Sequence, residues 1–409
     1  MNKNKSKLKL KNKSKSKSKL KKNTKIKSKK YRSYKSKMVG GALPMKVISY
    51  NISWGAMSGN VNDFTARRLA RHCRDVRPRP VADETVCLTN VRTFLEAEYD
   101  KGRRLAQPQA PIGFIALQEA MNWKNIICRS DRLSNMGYVH HDVRFVSGGR
   151  TIYADLCTLY NQNLFKLLGV ICGNINKDGT DGRPYHKLFL ESIGQPGQPA
   201  QPVEKFIFIN FHNSQPHIIR SRVEFETALN DQDQVVIDVH QTNEIHFENI
   251  TESAFRVVAE NIPENPFQVY ALAENIPENA FRVVALNEFI QTHGFLENSR
   301  IIMAGDTNDS VGINFWQGMT PFIQTPGLDT IQVNTKTIPP PRTCCVGERS
   351  LRKKRPIHGE DTFYGDYIMI SQNLNYLTHG SSSLIPRDFN ILANRNPTSD
   401  HLPVVATIT

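Results

Sequence analysis

A chain of 409 residues with a 39% hydrophobic share is long enough to bury a substantial core, which excludes a wholly disordered protein. Its formal net charge of +15 looks like that of a nucleic-acid binder, yet residues 1 to 37 alone carry eighteen Lys and Arg and no carboxylate, leaving the remainder at −3. The body is mildly acidic and the basicity belongs to a tail.

In that tail, residues 1 to 40, Lys alternates with Ser, Asn and isolated Leu. Such a composition cannot bury enough apolar surface to offset chain entropy, so a disordered extension is expected. Its charge would bind polyanions as a nuclear address, a nucleic-acid tether or a patch for anionic membrane, or serve as a solubilising extension with no specific role. No apolar segment follows the charges, which argues against a secretory signal peptide, and no run of about 18 apolar residues offers a membrane span. Seven cysteines, with Cys344 and Cys345 adjacent and no C-x-x-C, point to a reduced intracellular protein, nuclear or cytoplasmic, without a structural zinc site.

Beyond Gly40-Gly41, residues 41 to 409 read as one domain. Val47, Ile48 and Tyr50 predict a short strand with Asn51 at its end. Two helical stretches follow, DFTARRLARHC and TNVRTFLEAEYDKGRRLA, separated by Pro78 and Pro80. A buried strand from Ile112 to Leu117 then ends in Gln118-Glu119. Further strands are predicted at Val143 to Val146, Asp155 to Tyr160 and His186 to Leu190. Lys205 to Phe211 is strongly apolar and delivers Asn210 and His212.

Between Glu248 and Asn287 the units ENITESAFRVVA, ENIPENPFQVYALA and ENIPENAFRVVALN form a tandem repeat. Prolines at the unit starts and the apolar spacing suit helical turns in a surface insertion near 248 to 287. The run RIIMAGDTNDS then places Asp306, Asn308 and Asp309 after four apolar residues and Gly305. Asp366 precedes the apolar run Tyr367 to Ile370, and Ser399-Asp400-His401 precedes Val404 to Ile408.

The pattern of an apolar run ending in an acid, amide or imidazole therefore recurs six times. Any one of these is ordinarily a satisfied turn. Gathered together they supply what phosphoester hydrolysis needs: hard oxygen donors for Mg²⁺ or Mn²⁺, a carboxylate to deprotonate water, and donors for developing charge.

In order, YN, LQE, NFH, GDTN, GDYI and SDHLP resemble the endonuclease/exonuclease/phosphatase superfamily, the fold of deoxyribonuclease-I-like nucleases, inositol polyphosphate phosphatases and sphingomyelinases. The resemblance covers roughly residues 45 to 409. It implies an α/β fold, a four-layered sandwich with two mainly antiparallel sheets packed face to face and helices outside. It implies Glu119, Asn51 and Asp400 as metal ligands for Mg²⁺, with Mn²⁺ as substitute, and Asp306, Asn308, His212, Asp366 and His401 as the catalytic set.

Asn210, Arg150, Tyr153, Arg352 and Lys353 are the expected substrate contacts. Ser53 stands where abasic endonucleases of this family usually carry an acid, which speaks against that activity. The expected function is hydrolysis of phosphodiester bonds in nucleic acid. Phosphatase action on inositol phosphates, phosphoinositides or other small phosphate esters is the first alternative, and non-catalytic nucleic-acid binding through the tail the second.

Overall fold

The structure is a computed structural model, and it describes residues 44–57, 85–104, 110–147, 150–174, 183–193, 202–213, 235–239, 244–249, 267–270, 281–295, 299–306, 331–333, 366–371, 374, 376–378, 399, 401 and 403–408. The lysine-rich tail, the first predicted helix, Asn308, Asp400, Arg352 and Lys353 lie outside these residues, as does the side chain of Arg150.

The strands are β1 (Met45–Asn51), β2 (Ile112–Gln118), β3 (Gly137–Asp142), β4 (Arg144–Ser147), β5 (Arg150–Tyr153) and β6 (Leu156–Tyr160). They continue with β7 (Phe165–Asn174), β8 (Pro184–Ser192), β9 (Lys205–His212), β10 (Val235–Val239), β11 (Glu244–Asn249) and β12 (Phe267–Tyr270). The last are β13 (Phe281–Ala285), β14 (Arg300–Asp306), β15 (Ile331–Val333), β16 (Asp366–Ser371), β17 (Tyr376–Thr378) and β18 (Val404–Ile408). The helices are α1 (Trp54–Met57), α2 (Val86–Arg104), α3 (Trp123–Ile127) and α4 (Leu286–His293).

Two eight-stranded sheets form, in the orders β12-β11-β3-β6-β2-β1-β18-β17 and β13-β10-β7-β8-β9-β14-β16-β15, beside a small β4-β5 ribbon. Among the described strands only the pairs β1-β2, β3-β11 and β9-β14 are parallel, so the sheets are mainly antiparallel as expected.

The central strands are apolar on both faces, and the pleat sends alternate residues to different layers. Val47, Phe114, Phe208 and Ile302 point between the sheets, where Phe114 stacks on Phe208 with ring centroids 4.3 Å apart. Their neighbours Ile48 and Ile115 instead face α2 and α3, packing with Leu88, Val91, Phe94 and Trp123. On the far side of the second sheet Ile207 and Ile209 meet Leu286 and Phe289 of α4.

These are the helix, sheet, sheet and helix layers of the sandwich. Thr85 starts α2 by accepting the Leu88 N–H on its hydroxyl at 3.2 Å, and a buried Lys46–Glu98 ion pair of 3.0 Å ties that helix to β1.

Two expectations need correction. The described parts of the repeat are not helical turns: Phe267–Tyr270 and Phe281–Ala285 occupy equivalent positions in two units, and both are edge strands, one on each sheet. Their Phe, Val and Tyr content suits a pleated surface, and pairing partners outweigh the weak helical spacing. The cysteines are not all reduced either, because Cys87 is disulfide-bonded, while Cys128, Cys157 and Cys172 are free. No helix among the described residues is long and apolar enough to cross a membrane.

Candidate active site at the mouth of the sandwich

Strand direction explains why distant motifs meet. β1 and β2 run parallel, with Asn51 opposite Gln118, and β9 and β14 run parallel, with His212 opposite Asp306. Parallel neighbours bring their C-terminal ends to one edge, and antiparallel β16 begins at that edge with Asp366 opposite Asp306. The segment leading into β18, antiparallel to β1, carries Ser399 and His401 to the same rim. Ser399 fastens it there, donating its hydroxyl to the Asn51 carbonyl at 2.8 Å and accepting the His401 N–H at 3.1 Å.

The backbone bends sharply where the two first-sheet strands end. Ser53 and Glu119 have φ of 59° and 53°, the two non-glycine residues in the left-handed region among those described. Such conformations cost about 1–2 kcal/mol each and persist only where surroundings enforce them. Here the Asn51 side-chain oxygen accepts the Ser53 N–H at 3.0 Å, and the Glu119 Oε2 accepts the Trp54 N–H at 3.1 Å. The strain thus aims the remaining Glu119 oxygen at the mouth.

Asp306 is the hub. Its Oδ2 accepts from Asn51 Nδ2 at 2.9 Å and lies 3.6 Å from His212 Nε2 and 3.8 Å from His401 Nε2. Glu119 Oε1 lies 3.5 Å from the same Asn51 nitrogen and 3.8 Å from His212 Nε2. His401 Nδ1 pairs with Asp366 Oδ2 at 2.9 Å, which turns Nε2 toward the hub.

The structure therefore brings Asn51, Glu119, His212, Asp306, Asp366 and His401 together. Tyr153 is half-buried with its ring edge-on to Trp54 at 5.2 Å, beside the Glu119 turn.

Two residues behave differently from expectation. The Asn51 oxygen accepts the Ser53 N–H, so its amide nitrogen faces the carboxylates of Glu119 and Asp306 and orients them. Asn210 points between the sheets, fully buried. Its amide oxygen accepts from Gln118 Nε2 at 2.7 Å, and its nitrogen donates to Thr158 Oγ1 at 3.0 Å and to the Leu117 and Cys157 carbonyls at 3.3 Å. Its hydrogen-bonding capacity is committed to joining the two sheets, which corrects its expected place among the substrate contacts.

Arg183 is the site residue the sequence reading missed. It stands just before β8, and its Nη1 donates to His212 Nε2 at 2.9 Å. Burial pushes the His212 pKa well below the ordinary value, and Arg183 and then His401 push it further. His212 is thus a neutral ring near pH 7, with its Nε2 lone pair facing a guanidinium. The only sequence signal was an arginine directly before an apolar strand whose pairing partner ends in His212.

The donor chemistry fits a hard divalent cation. Glu119 and Asp306 present carboxylate oxygens on either side of the Asn51 amide, the donor type that Mg²⁺ and Mn²⁺ prefer. Asp306, Asp366 and His401 also have ligand-type atoms within 4.8 Å of one another, but the 2.9 Å bond between the last two marks them as a dyad.

No protein-family model matches the chain, and no curated protein matches it. Among solved structures it is similar to the catalytic domain of human Nocturnin with bound sulfate, at 13% identity and a TM-score of 0.44, over 90% of this chain and 94% of that one. It is also similar to ANGEL2, a 2',3'-cyclic phosphatase in complex with adenosine-2',3'-vanadate, at 16% identity and a TM-score of 0.43, over 90% and 95%. A third is an endonuclease/exonuclease/phosphatase family protein from Bacteroides thetaiotaomicron, at 12% identity and a TM-score of 0.44, over 89% and 94%.

Proposed function

We propose that this chain is a Mg²⁺-dependent phosphoesterase that hydrolyses phosphodiester bonds of nucleic acid. The observation that carries the reading is the convergence on Asp306 Oδ2 of Asn51, His212 and His401, with Glu119 and Asp366 each one contact further out. Residues spaced across 350 positions of the chain meet where charge must be managed.

In this reading Asp306 accepts the proton of the attacking water as its oxygen bonds to phosphorus and the bond to the departing alcohol breaks. The alcohol oxygen then takes a proton from solvent water. His401, oriented by Asp366, holds a proton toward the phosphoryl oxygens through Nε2, and Arg183 beside neutral His212 supplies the fixed cation on the opposite side. A divalent cation bound by Glu119 and Asp306, with Asp400 as the further ligand expected from the sequence, would neutralise charge on the non-bridging oxygens. Asn308 would steady Asp306 or the phosphate.

The half-buried Tyr153 ring, packed edge-on against the buried Trp54, gives an aromatic face beside the Glu119 turn on which a base can stack. That face and the basic tail favour a nucleic acid over a small ester. Arg150, Arg352 and Lys353 would contact the polynucleotide backbone, and residues 1 to 40 would raise affinity for polyanions in a salt-sensitive way.

The test is a panel of single-stranded DNA, duplex DNA, RNA, inositol polyphosphates and sphingomyelin, each with Mg²⁺ and each repeated with Glu119→Gln. Turnover of a nucleic acid that the variant loses supports the reading. Turnover confined to the small esters rejects the nuclease, and unchanged turnover by the variant rejects the assigned metal ligand.

A further inference from the structure

The pleat carries the row of inward side chains past the active site. In the first sheet the register aligns Asn51, Gln118, Leu156 and His141 across β1, β2, β6 and β3. In the second it aligns Asn210, His186 and Cys172 across β9, β8 and β7. The Gln118–Asn210–Thr158 bridge divides this seam. On one side lie the carboxylates, and on the other two imidazoles and a thiol face each other between the sheets.

We propose that His141, Cys172 and His186 form a second metal site, for a borderline-soft divalent cation of the Zn²⁺ class. Their ligand atoms lie within 4.8 Å of one another, and the two imidazole rings are 5.5 Å apart. Zinc bonds of about 2.1 Å to nitrogen and about 2.3 Å to sulfur would draw the three atoms together by roughly 1 Å, within the reach of side-chain rotation.

His186 is fully buried, and its Nε2 has no hydrogen-bond partner. Its other nitrogen, Nδ1, sits 3.3 Å from the Thr158 hydroxyl, which is itself held by Asn210. With the ring proton on Nδ1 toward the Thr158 oxygen, Nε2 would be left bare, the arrangement in which histidine ligates metal.

Two nitrogens and a sulfur select zinc over magnesium, just as the oxygen donors beyond the bridge select the reverse. Cys172 is a free thiol at the partly buried edge of the cluster. Binding displaces the thiol proton to solvent and leaves both rings neutral.

The full-length chain, stripped of metal and titrated with Co²⁺ in excess Mg²⁺, should take up one equivalent with thiolate-to-cobalt charge-transfer absorption, which Zn²⁺ then abolishes. Cys172→Ala should lose that absorption and Cys128→Ser should keep it. Should Cys172→Ala fail to fold, the wild-type protein decides the matter: Zn²⁺ should slow alkylation of Cys172, located by peptide mass, by at least about tenfold.

Absence of the absorption from the wild type, its survival in a folded Cys172→Ala protein, or unprotected Cys172 would each overturn the site. None of these outcomes bears on the phosphoesterase reading, because turnover is not the readout.

Discussion

The two halves of the seam between the sheets use the same secondary structure to opposite chemical ends. At the mouth, strand ends turn outward under backbone strain and present oxygen, imidazole and guanidinium groups to a cleft. Deeper in, Gln118, Asn210 and Thr158 answer one another across the sheets and carry their hydrogen bonds inward. A polar residue at a strand end is thus a candidate for chemistry only where its bonds do not already close on the fold.

The largest effect that separates the halves is on turnover. His401→Ala and Glu119→Gln should each lower kcat by at least about 100-fold, the loss typical of one transition-state electrostatic group. Both variants should keep the cobalt–thiolate absorption of the inner cluster, measured on the same preparations. Joint loss of turnover and metal uptake would mean that the seam is one unit and the division artificial.

Asp366→Asn sharpens the mouth itself. It keeps the shape but removes the carboxylate that holds the His401 proton on Nδ1. A fall of about 10–100-fold in kcat with a displaced limb in the pH–rate profile is expected. An unchanged profile would make Asp366 a strand-end residue only.

On the structural side of the comparison, Asn210→Leu strands Gln118 Nε2 and breaks the sheet-to-sheet bonds. It should cost about 1–3 kcal/mol in urea unfolding, with the folded fraction still active. Loss of activity without loss of stability would return Asn210 to the substrate side.

The last effect is read against pH and concerns Lys187, fully buried on the outward face of β8, where burial lowers its pKa to about 7. The unfolded chain holds this proton up to about pH 10.5 whereas the folded one releases it near 7. Stability contributed by this residue should therefore rise across that window, by about 1.4 kcal/mol per pH unit, and be flat below it. Lys187→Met should flatten the slope.

How much of this was legible depended on where a residue's partners lie in sequence. The strands ending in Asn51, Glu119, His212 and Asp306 could be read because each is a short apolar run with one polar residue at its close. β3 escaped because His140 and His141 interrupt its apolar pattern, and β7 because FKLLGVICGN alternates too weakly to fix a period.

Asn210 was read as a site residue from its place beside His212, yet strand alternation turns both inward and only the last residue reaches the rim. Arg183 and the cluster of His141, Cys172 and His186 carry no local motif, since their grouping is made by register between strands from both sheets. The repeat was misread because Phe-x-Val-Val fits a helical face and a pleated edge alike, and only the presence of unpaired neighbouring strands decides.

The most direct test of the central claim is anomalous diffraction from crystals soaked in Mn²⁺ and a nucleoside monophosphate. The account predicts an ion between Glu119 and Asp306, with the phosphate bridging from it toward Arg183, His212 and His401. An ion or phosphate bound elsewhere, with those five side chains touching neither, would contradict it.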